Sequence, residues 1–264
     1  MNPEPHNPSP EAPGQGPVKT FLEHLEDLRL VLIRILTVLG LAWLGCFYLC
    51  PQILRFLQRP LKASGVLARY GIQSPDEFLR VFGPAAPFTI SFQLALYAAV
   101  VVSMPFIIGI AGAYLLPVLT RRERRLILPI FLAGIFFFLA GTAFCYFLLL
   151  PPTLAISLDF ARWMGLGASF WTVESYVSFV TKFMLGMGLG FEMPLVIMLL
   201  VRAGVLNYAM LAKARPYVII VNFILGAVLT TPEVFTQLVM AIPLTLMYET
   251  CVWLAWFREL KKPS

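Results

Sequence analysis

Six long apolar runs restrict what this sequence can fold into. A helix needs about 20 apolar residues to cross the hydrocarbon core of a bilayer. Because backbone groups in lipid must be hydrogen-bonded inside helices or closed barrels, we predict six membrane-spanning helices, at residues 30–50, 88–118, 126–150, 176–201, 217–229 and 235–257. The fold class is therefore an all-α integral membrane protein.

Composition supports this class. Hydrophobic residues make up 59% of the chain, charged residues 13%, and the mean hydropathy is +0.81. Soluble domains average about 45–50% apolar and 25% charged residues. The net charge of +6 is interpreted as a determinant of membrane topology, so no nucleic-acid partner is expected.

The chain divides into one membrane domain and two tails. Residues 1–19 are rich in proline and form a predicted disordered cytoplasmic tail; residues 20–257 are the membrane domain, and residues 258–264 are a second cytoplasmic tail. The apolar run at 217–229 is short, spanning roughly 20 Å of helix against a hydrocarbon thickness of about 30 Å. Pro105 is expected to interrupt one hydrogen bond of the second span.

The distribution of lysine and arginine predicts the orientation. Twelve of the 20 basic residues fall on the side that holds both termini, which the positive-inside rule makes cytoplasmic. Six fall on the other side, namely Arg55, Arg59, Lys62, Arg69, Arg80 and Arg162. Five of those six are in the first external loop, where the positive-inside rule predicts few basic residues.

Acidic residues stand where the chain first meets the bilayer. Residues 20–29 have the apolar spacing of an interfacial amphipathic helix that leads into the first span. Glu26 and Arg29 are three residues apart and are expected to pair. Asp27 follows Glu23 by four residues, a repulsive like-charge spacing that a cationic partner would relieve.

Glu192 and Glu249 are predicted to lie within spans. Glu192 is near the middle of the fourth, where an ionisable residue is costly and is a candidate for function. Glu249 in the sixth span and Asn222 in the fifth are further buried polar groups; a hydrogen bond to a neighbouring helix is a structural explanation for both and the favoured one for Asn222. An alternative function is a proton- or ion-coupled solute transporter that uses Glu192 and Glu249 as its relay.

Two further carboxylates have simple structural explanations. Glu123 lies among four arginines at 121–125 and is expected to be a solvated charge. Glu233 follows Thr231 and Pro232, a typical helix start. No metal, cofactor or nucleophile motif is present, so an enzyme is not expected.

Several segments together resemble the TatC family, the receptor subunit of the twin-arginine protein translocase. They run in order along residues 20–257 and read FLEHLEDLR at 21–29, RERR at 122–125, GFEMP at 190–194, RPY at 215–217 and LTTPEVFTQ at 229–237. Several such motifs in order are far more specific than any one alone.

The resemblance implies a fold and partners. The fold is a glove-shaped bundle of six helices in the bacterial inner membrane, with both termini cytoplasmic and helices five and six short. The implied function is the binding of twin-arginine signal peptides of folded cargo, together with TatB- and TatA-type subunits in a multi-copy complex, and export driven by the proton-motive force.

The resemblance also implies functional positions. Asp27 and Glu123 are the implied receptors of the two signal-peptide arginines. Asp27 stands where the family usually has Glu. Either Asp27 or the adjacent Glu26 therefore binds one of the signal-peptide arginines. Both residues belong to the motif that ends at Arg29. The remaining implied positions are Pro60, Tyr114, Glu192, Arg215, Pro216, Glu233 and Gln237.

Overall fold

Six helical spans are present in the computed structural model, which describes residues 21–69, 71–72, 74–115, 127–165, 170–202, 204–229 and 234–260. Each span is long and apolar enough to cross a membrane. They cover Leu25–Tyr48, Ala86–Ile110, Leu128–Trp163, Val173–Arg202, Tyr208–Leu229 and Val234–Glu259. The predicted number and order of spans are confirmed.

The first span belongs to helix α1, Phe21–Tyr48, which includes residues 21–29 of the predicted amphipathic segment without a break. The α1–α6 connection then carries four short helices and one strand: α2 Cys50–Leu57, α3 Arg59–Ala63, α4 Val66–Arg69, α5 Pro75–Phe78 and β1 Leu79–Arg80. Helix α6, Ala86–Leu115, forms the second span and contains Pro105.

The third span extends further than predicted. Helix α7, Ile127–Phe144, continues through a π-helical turn at Cys145–Leu149 into α8, Leu150–Trp163. Proline is tolerated in the first turn of a helix, and prolines occupy that position in α8. The wider turn before α8 lets the helix continue past them, and the Thr153 hydroxyl donates to the Leu149 carbonyl at 2.6 Å. The helix therefore continues past residue 150, the predicted end of the span.

Four helices make up the described part of the second half of the bundle. After strand β2, Trp171–Thr172, come α9 Val173–Phe191 and α10 Met193–Arg202, which together make the fourth span. Helices α11, Tyr208–Leu229, and α12, Val234–Leu260, form the last two spans.

The expectation of two short final helices needs correction. Helix α11 is the shortest span at 22 residues, but α12 has 27 residues and is not short. The prediction counted apolar residues only, whereas α11 begins at Tyr208 and includes the polar segment that ends at Pro216. In this segment, Arg215 is paired with a residue of a neighbouring helix.

Helix α9 lies at the centre of the bundle. Val177, Val180, Phe183 and Met187 on this helix are fully buried. It packs against α6, α7, α11 and α12. The outward faces of the other spans are apolar and exposed, as expected of surfaces that contact lipid.

Glycines allow the close packing of α9. A Cβ on Gly188 would lie 2.7 Å from Thr142 Oγ1 of α7, and a Cβ on Gly186 would lie 2.5 Å from Leu229 Cδ1 of α11. A Cβ on Gly190 would collide with Leu244 of α12. One face of α9 thus approaches α7 and the other approaches the final hairpin.

Candidate functional site

The acidic residues at the start of α1 lie near one end of the bundle. Asp27 is partly buried, whereas Glu26 and Arg29 are exposed. Among the residues that the structure describes, Glu26 and Arg29 do not pair with each other, so that expectation was wrong. The reason is physical: an exposed pair three residues apart contributes only about 0.2–0.5 kcal/mol.

Three other predicted positions fall wholly or partly outside the described structure. Glu123, with its arginine neighbours, and Glu233 lie outside the described residues. Tyr114 belongs to the last turn of α6, but only its backbone is described. Their roles stay predictions.

Glu192 lies at the break between the two helices of the fourth span. It is the C-terminal cap of α9, and α10 begins at the next residue, with Pro194 in its first turn. The Glu192 amide donates to the Leu189 carbonyl at 3.1 Å. Proline has no amide hydrogen, so it breaks the regular helical hydrogen-bond pattern here.

The Glu192 carboxylate faces α7. A Cβ on Gly134 would lie 3.4 Å from Glu192 Oε2 and 3.3 Å from the side chains of Ile108 and Leu195. The other oxygen, Oε1, is buried and has no hydrogen-bond partner within the described part of the chain. An ionisable group in such apolar surroundings is costly, which makes Glu192 the strongest intramembrane candidate for function.

Arg215 and Glu249 form an ion pair between α11 and α12. Arg215 Nε donates to Glu249 Oε1 at 2.9 Å, and the Arg215 Nη2 donates to Oε2 at 3.0 Å. The structural explanation for Glu249, a bond to a neighbouring helix, is therefore present. Glu249 therefore faces α11 while Glu192 faces α7, an arrangement that does not favour the alternative of a relay between the two carboxylates.

Other polar contacts also join α11 to α12. Asn222 Nδ2 donates to Thr245 Oγ1 at 3.2 Å, as predicted for a polar residue between helices. The Tyr248 hydroxyl donates to the Leu211 carbonyl at 2.6 Å. At the other end of the hairpin, a Cβ on Gly226 would lie 3.3 Å from the Cα of Gln237, so the backbones approach closely.

Pro216 follows Arg215 and is exposed inside α11. Its missing amide leaves one carbonyl of the preceding turn without a helical partner. The predicted motif at 215–217 thus combines a paired arginine with a helix irregularity and with Tyr217, which is also exposed.

Pro60 is buried in the first turn of α3, at the end of the bundle opposite Asp27. Two tyrosines from distant helices fix the helix that precedes it. The Tyr146 hydroxyl donates to the Phe56 carbonyl at 2.7 Å, and the Tyr176 hydroxyl donates to the Leu57 carbonyl at 2.6 Å. The sequence gave no signal for these roles beyond two tyrosines within apolar runs.

The polar groups of the described structure are of kinds that proteins use in binding. Within the described ranges, no three His, Cys, Asp or Glu side chains group closely enough to hold a metal ion. The polar features are carboxylates at one end, a lone carboxylate at a helix break and an interhelical ion pair. Such groups recognise cationic or polar segments of another chain.

Comparison with known proteins identifies relatives over nearly the whole membrane domain. Residues 23–243 match the profile of the family described as Sec-independent protein translocase protein (TatC). The protein of that name from Aquifex aeolicus is 32% identical over 91% of this chain and 96% of its own length. The one from Akkermansia muciniphila is 38% identical over 71% of this chain, and the chain spans only 54% of its length.

A solved structure has the same fold. The crystal structure described as Twin Arginine Translocase Receptor TatC is 31% identical in sequence, with a TM-score of 0.77 over 89% of this chain and 99% of that chain. A second crystal structure, of TatC in the detergent DDM, has a TM-score of 0.78 and 32% identity, over 88% of this chain and 99% of that chain. On these grounds, the chain is a multi-pass membrane protein of the TatC family.

Proposed function

We propose that this protein is the core receptor subunit of a twin-arginine translocase in the bacterial inner membrane. The observation that carries the proposal is the match to the TatC family over residues 23–243, supported by a similar fold in a solved receptor of that name. The family is not enzymatic. Its work is recognition, and TatA- and TatB-type subunits are the expected partners.

The carboxylates near the start of α1 bind one arginine of the signal peptide. A guanidinium presents a planar fork that binds a carboxylate through two parallel hydrogen bonds. Asp27 is half-buried where α1 enters the membrane domain, and Glu26 beside it is exposed. Asp27 therefore offers the less solvated contact for one arginine, and Glu123 receives the other.

The orientation follows from the charges and the number of spans. An even number of spans places both termini on one side, and the excess of basic residues makes that side cytoplasmic. Asp27, Glu123 and the Arg215–Glu249 pair then share the cytoplasmic side of the protein. Pro60, Glu233 and Gln237 lie toward the external side, the last two beside a proposed contact with TatA or TatB.

Binding of a signal peptide to the purified protein tests this function. A twin-arginine peptide is expected to bind at least about tenfold more tightly than its twin-lysine counterpart, because lysine lacks the paired donors. The receptor should also co-purify with TatB- and TatA-type subunits. Equal affinity for both peptides would contradict the proposed recognition.

The same experiment separates Glu26 from Asp27. Asp27→Ala is expected to weaken peptide binding more than Glu26→Ala, because the partly buried carboxylate loses less of the interaction to water. Glu174→Ala is the matched control, since Glu174 is an exposed carboxylate at the start of α9, at the opposite end of the bundle. A larger loss in Glu26→Ala would assign the contact to Glu26.

Glu192 is proposed to face the apolar part of an inserted signal peptide, or to sense protons. Its buried Oε1, unpartnered within the described residues, supports both roles. Glu192→Gln keeps the size and polarity of the side chain but cannot carry a negative charge. Full transport by Glu192→Gln would exclude the proton-sensing role, and loss of transport in Glu192→Ala alone would leave hydrogen bonding as its role.

A further inference from the structure

A basic cleft lies in the α1–α6 connection, at the end of α1 opposite Asp27. Helices α2 and α3 form one wall, and residues 74–76 form the other. Its volume is about 510 Å³. Three cationic side chains, Arg55, Arg59 and Lys62, line this external cleft.

The spacing of the three cations places them on one helical face. They are four and three residues apart, and Gln58 between α2 and α3 keeps a helical backbone conformation. Like charges at these spacings repel one another and destabilise the helix. Only one carboxylate, that of Asp76, lines the cleft, so the cations outnumber the anions by two.

The cleft cations also lack ion-pair partners among the residues that the structure describes. Within the ranges that the structure describes, none of the three comes within 4.0 Å of a carboxylate. A nearby arginine behaves differently, because Arg69 Nη1 contacts Asp159 Oδ2 at 3.0 Å. Within that part of the chain, the three cations of the cleft therefore make no direct ion pair, whereas the neighbouring Arg69 does.

Arg59 is held in position by an aromatic ring. Its guanidinium carbon lies 5.6 Å from the centroid of the Phe56 ring. Guanidinium groups stack on such faces and keep their N–H groups free for hydrogen bonds in their own plane. This contact orders one of the three donors before any ligand arrives.

The cleft directly follows the first span. That span ends at Tyr48, whose exposed fraction is 83%, and aromatic residues are enriched where a membrane meets water. The residues of the cleft nearest to the span are apolar, namely Pro51 and Leu54. The cleft thus has an apolar end next to the span and a cationic end farther along the chain.

We propose that the external cleft binds the phosphate group of an anionic phospholipid. Arg55 and Arg59 present fork-shaped donors and Lys62 adds a point charge, which are the groups proteins use to bind phosphate. Pro51 and Leu54 contact the glycerol region of the lipid. The net positive charge favours an anionic headgroup over a zwitterionic one, and the apolar end favours lipid over free phosphate.

Native mass spectrometry of the purified full-length protein tests this site. Dioleoylphosphatidylglycerol is added to the wild type and to the triple variant R55Q/R59Q/K62Q, with dioleoylphosphatidylcholine as the neutral lipid. The wild type is expected to retain phosphatidylglycerol at least about tenfold better than the triple variant, and phosphatidylcholine equally poorly in both. The control triple variant R202Q/K213Q/R258Q removes the same charge elsewhere and should bind as the wild type does.

Two further arms keep the proposal falsifiable. Asp76→Asn removes the only carboxylate of the cleft and should increase retention of phosphatidylglycerol, a gain that misfolding cannot produce. Inorganic phosphate is added as a competitor: displacement of the lipid by millimolar phosphate would identify a phosphate site whose natural ligand is the free ion. Equal retention in the wild type and both triple variants, with no gain in Asp76→Asn, would overturn the proposal.

Discussion

Arg215 and Glu249 face each other across the last two helices and share two hydrogen bonds. The distances are 2.9 Å from Arg215 Nε to Glu249 Oε1 and 3.0 Å from the Arg215 Nη2 to Oε2. The residues are 34 positions apart in sequence. In this geometry the charge of Arg215 on α11 is balanced by a carboxylate of the neighbouring helix.

Replacing Arg215 by lysine should destabilise the hairpin of α11 and α12. Lysine keeps the charge but cannot make two parallel hydrogen bonds to a carboxylate. The thermal midpoint of the purified protein is therefore expected to fall by a few degrees in Arg215→Lys and further in Glu249→Gln, where the arginine charge loses its partner. Fluorescence-monitored thermal unfolding measures both.

Arg258→Lys is the matched control for this change. Arg258 is exposed in the last turn of α12 and makes no ion pair within the described structure. Its substitution should leave the midpoint unchanged. If Arg215→Lys and Arg258→Lys unfold at the same temperature, the two parallel hydrogen bonds of the Arg215 guanidinium add nothing to stability beyond the charge.

Gly141 on α7 should not tolerate a side chain. A Cβ there would lie 2.7 Å from both the Met187 backbone oxygen and the Phe191 Cβ. Backbone atoms of a central helix cannot move aside as a flexible side chain can. Gly141→Ala is expected to lower the free energy of unfolding by about 1–3 kcal/mol, the usual cost of overpacking.

Gly45 provides the comparison within another membrane helix. A Cβ on Gly45 would have no atom within 4 Å, and alanine favours a helix over glycine by about 0.5–1 kcal/mol. Gly45→Ala should therefore be neutral or stabilising in the same unfolding assay. Equal stability of the two variants would show that α7 and α9 do not pack as closely as described.

Thr245 is expected to contribute to stability through its hydrogen bond with Asn222. Asn222 is fully buried, and its Oδ1 has no hydrogen-bond partner in the described part of the chain. Thr245→Val removes the partner of Nδ2 as well and is expected to cost about 1 kcal/mol, near the usual value for hydrogen bonds between membrane helices.

The double variant Asn222→Leu, Thr245→Val tests the reason for that loss. Replacing both partners by apolar groups removes the unsatisfied amide, so the double variant should recover most of the stability. A double-mutant cycle in the unfolding assay measures the coupling. Additive losses from the two substitutions would contradict a direct interaction.

The spans could be predicted because lipid imposes length and hydrophobicity on every crossing helix. Their ends could not be predicted equally well. The π-helical turn at Cys145–Leu149 carries the third span past Pro151 and Pro152, whereas proline in a sequence usually marks a helix boundary. Likewise, α11 begins nine residues before its apolar run at 217, because its polar first half finds partners on α12.

Some of the candidate site residues could likewise be predicted from the sequence, and others could not. Glu192 could be singled out from sequence, since a carboxylate in the middle of an apolar span is costly wherever it packs. The partner of Glu249 could not, because a contact across 34 residues depends on how two helices are aligned. The hydrogen bonds of Tyr146 and Tyr176 to α2 could not be predicted either, because both tyrosines lie within apolar runs.

The most direct test of the receptor function is crosslinking of a signal peptide to its docking carboxylates. A photoreactive twin-arginine peptide is mixed with the wild type, with Asp27→Ala, with Glu123→Ala and with the control Glu174→Ala. Each charged hydrogen bond is worth about 1.5–3 kcal/mol, so the crosslinking yield should fall roughly tenfold in Asp27→Ala and in Glu123→Ala, and stay at the wild-type level in Glu174→Ala. Undiminished yield in both carboxylate variants would contradict docking at Asp27 and Glu123.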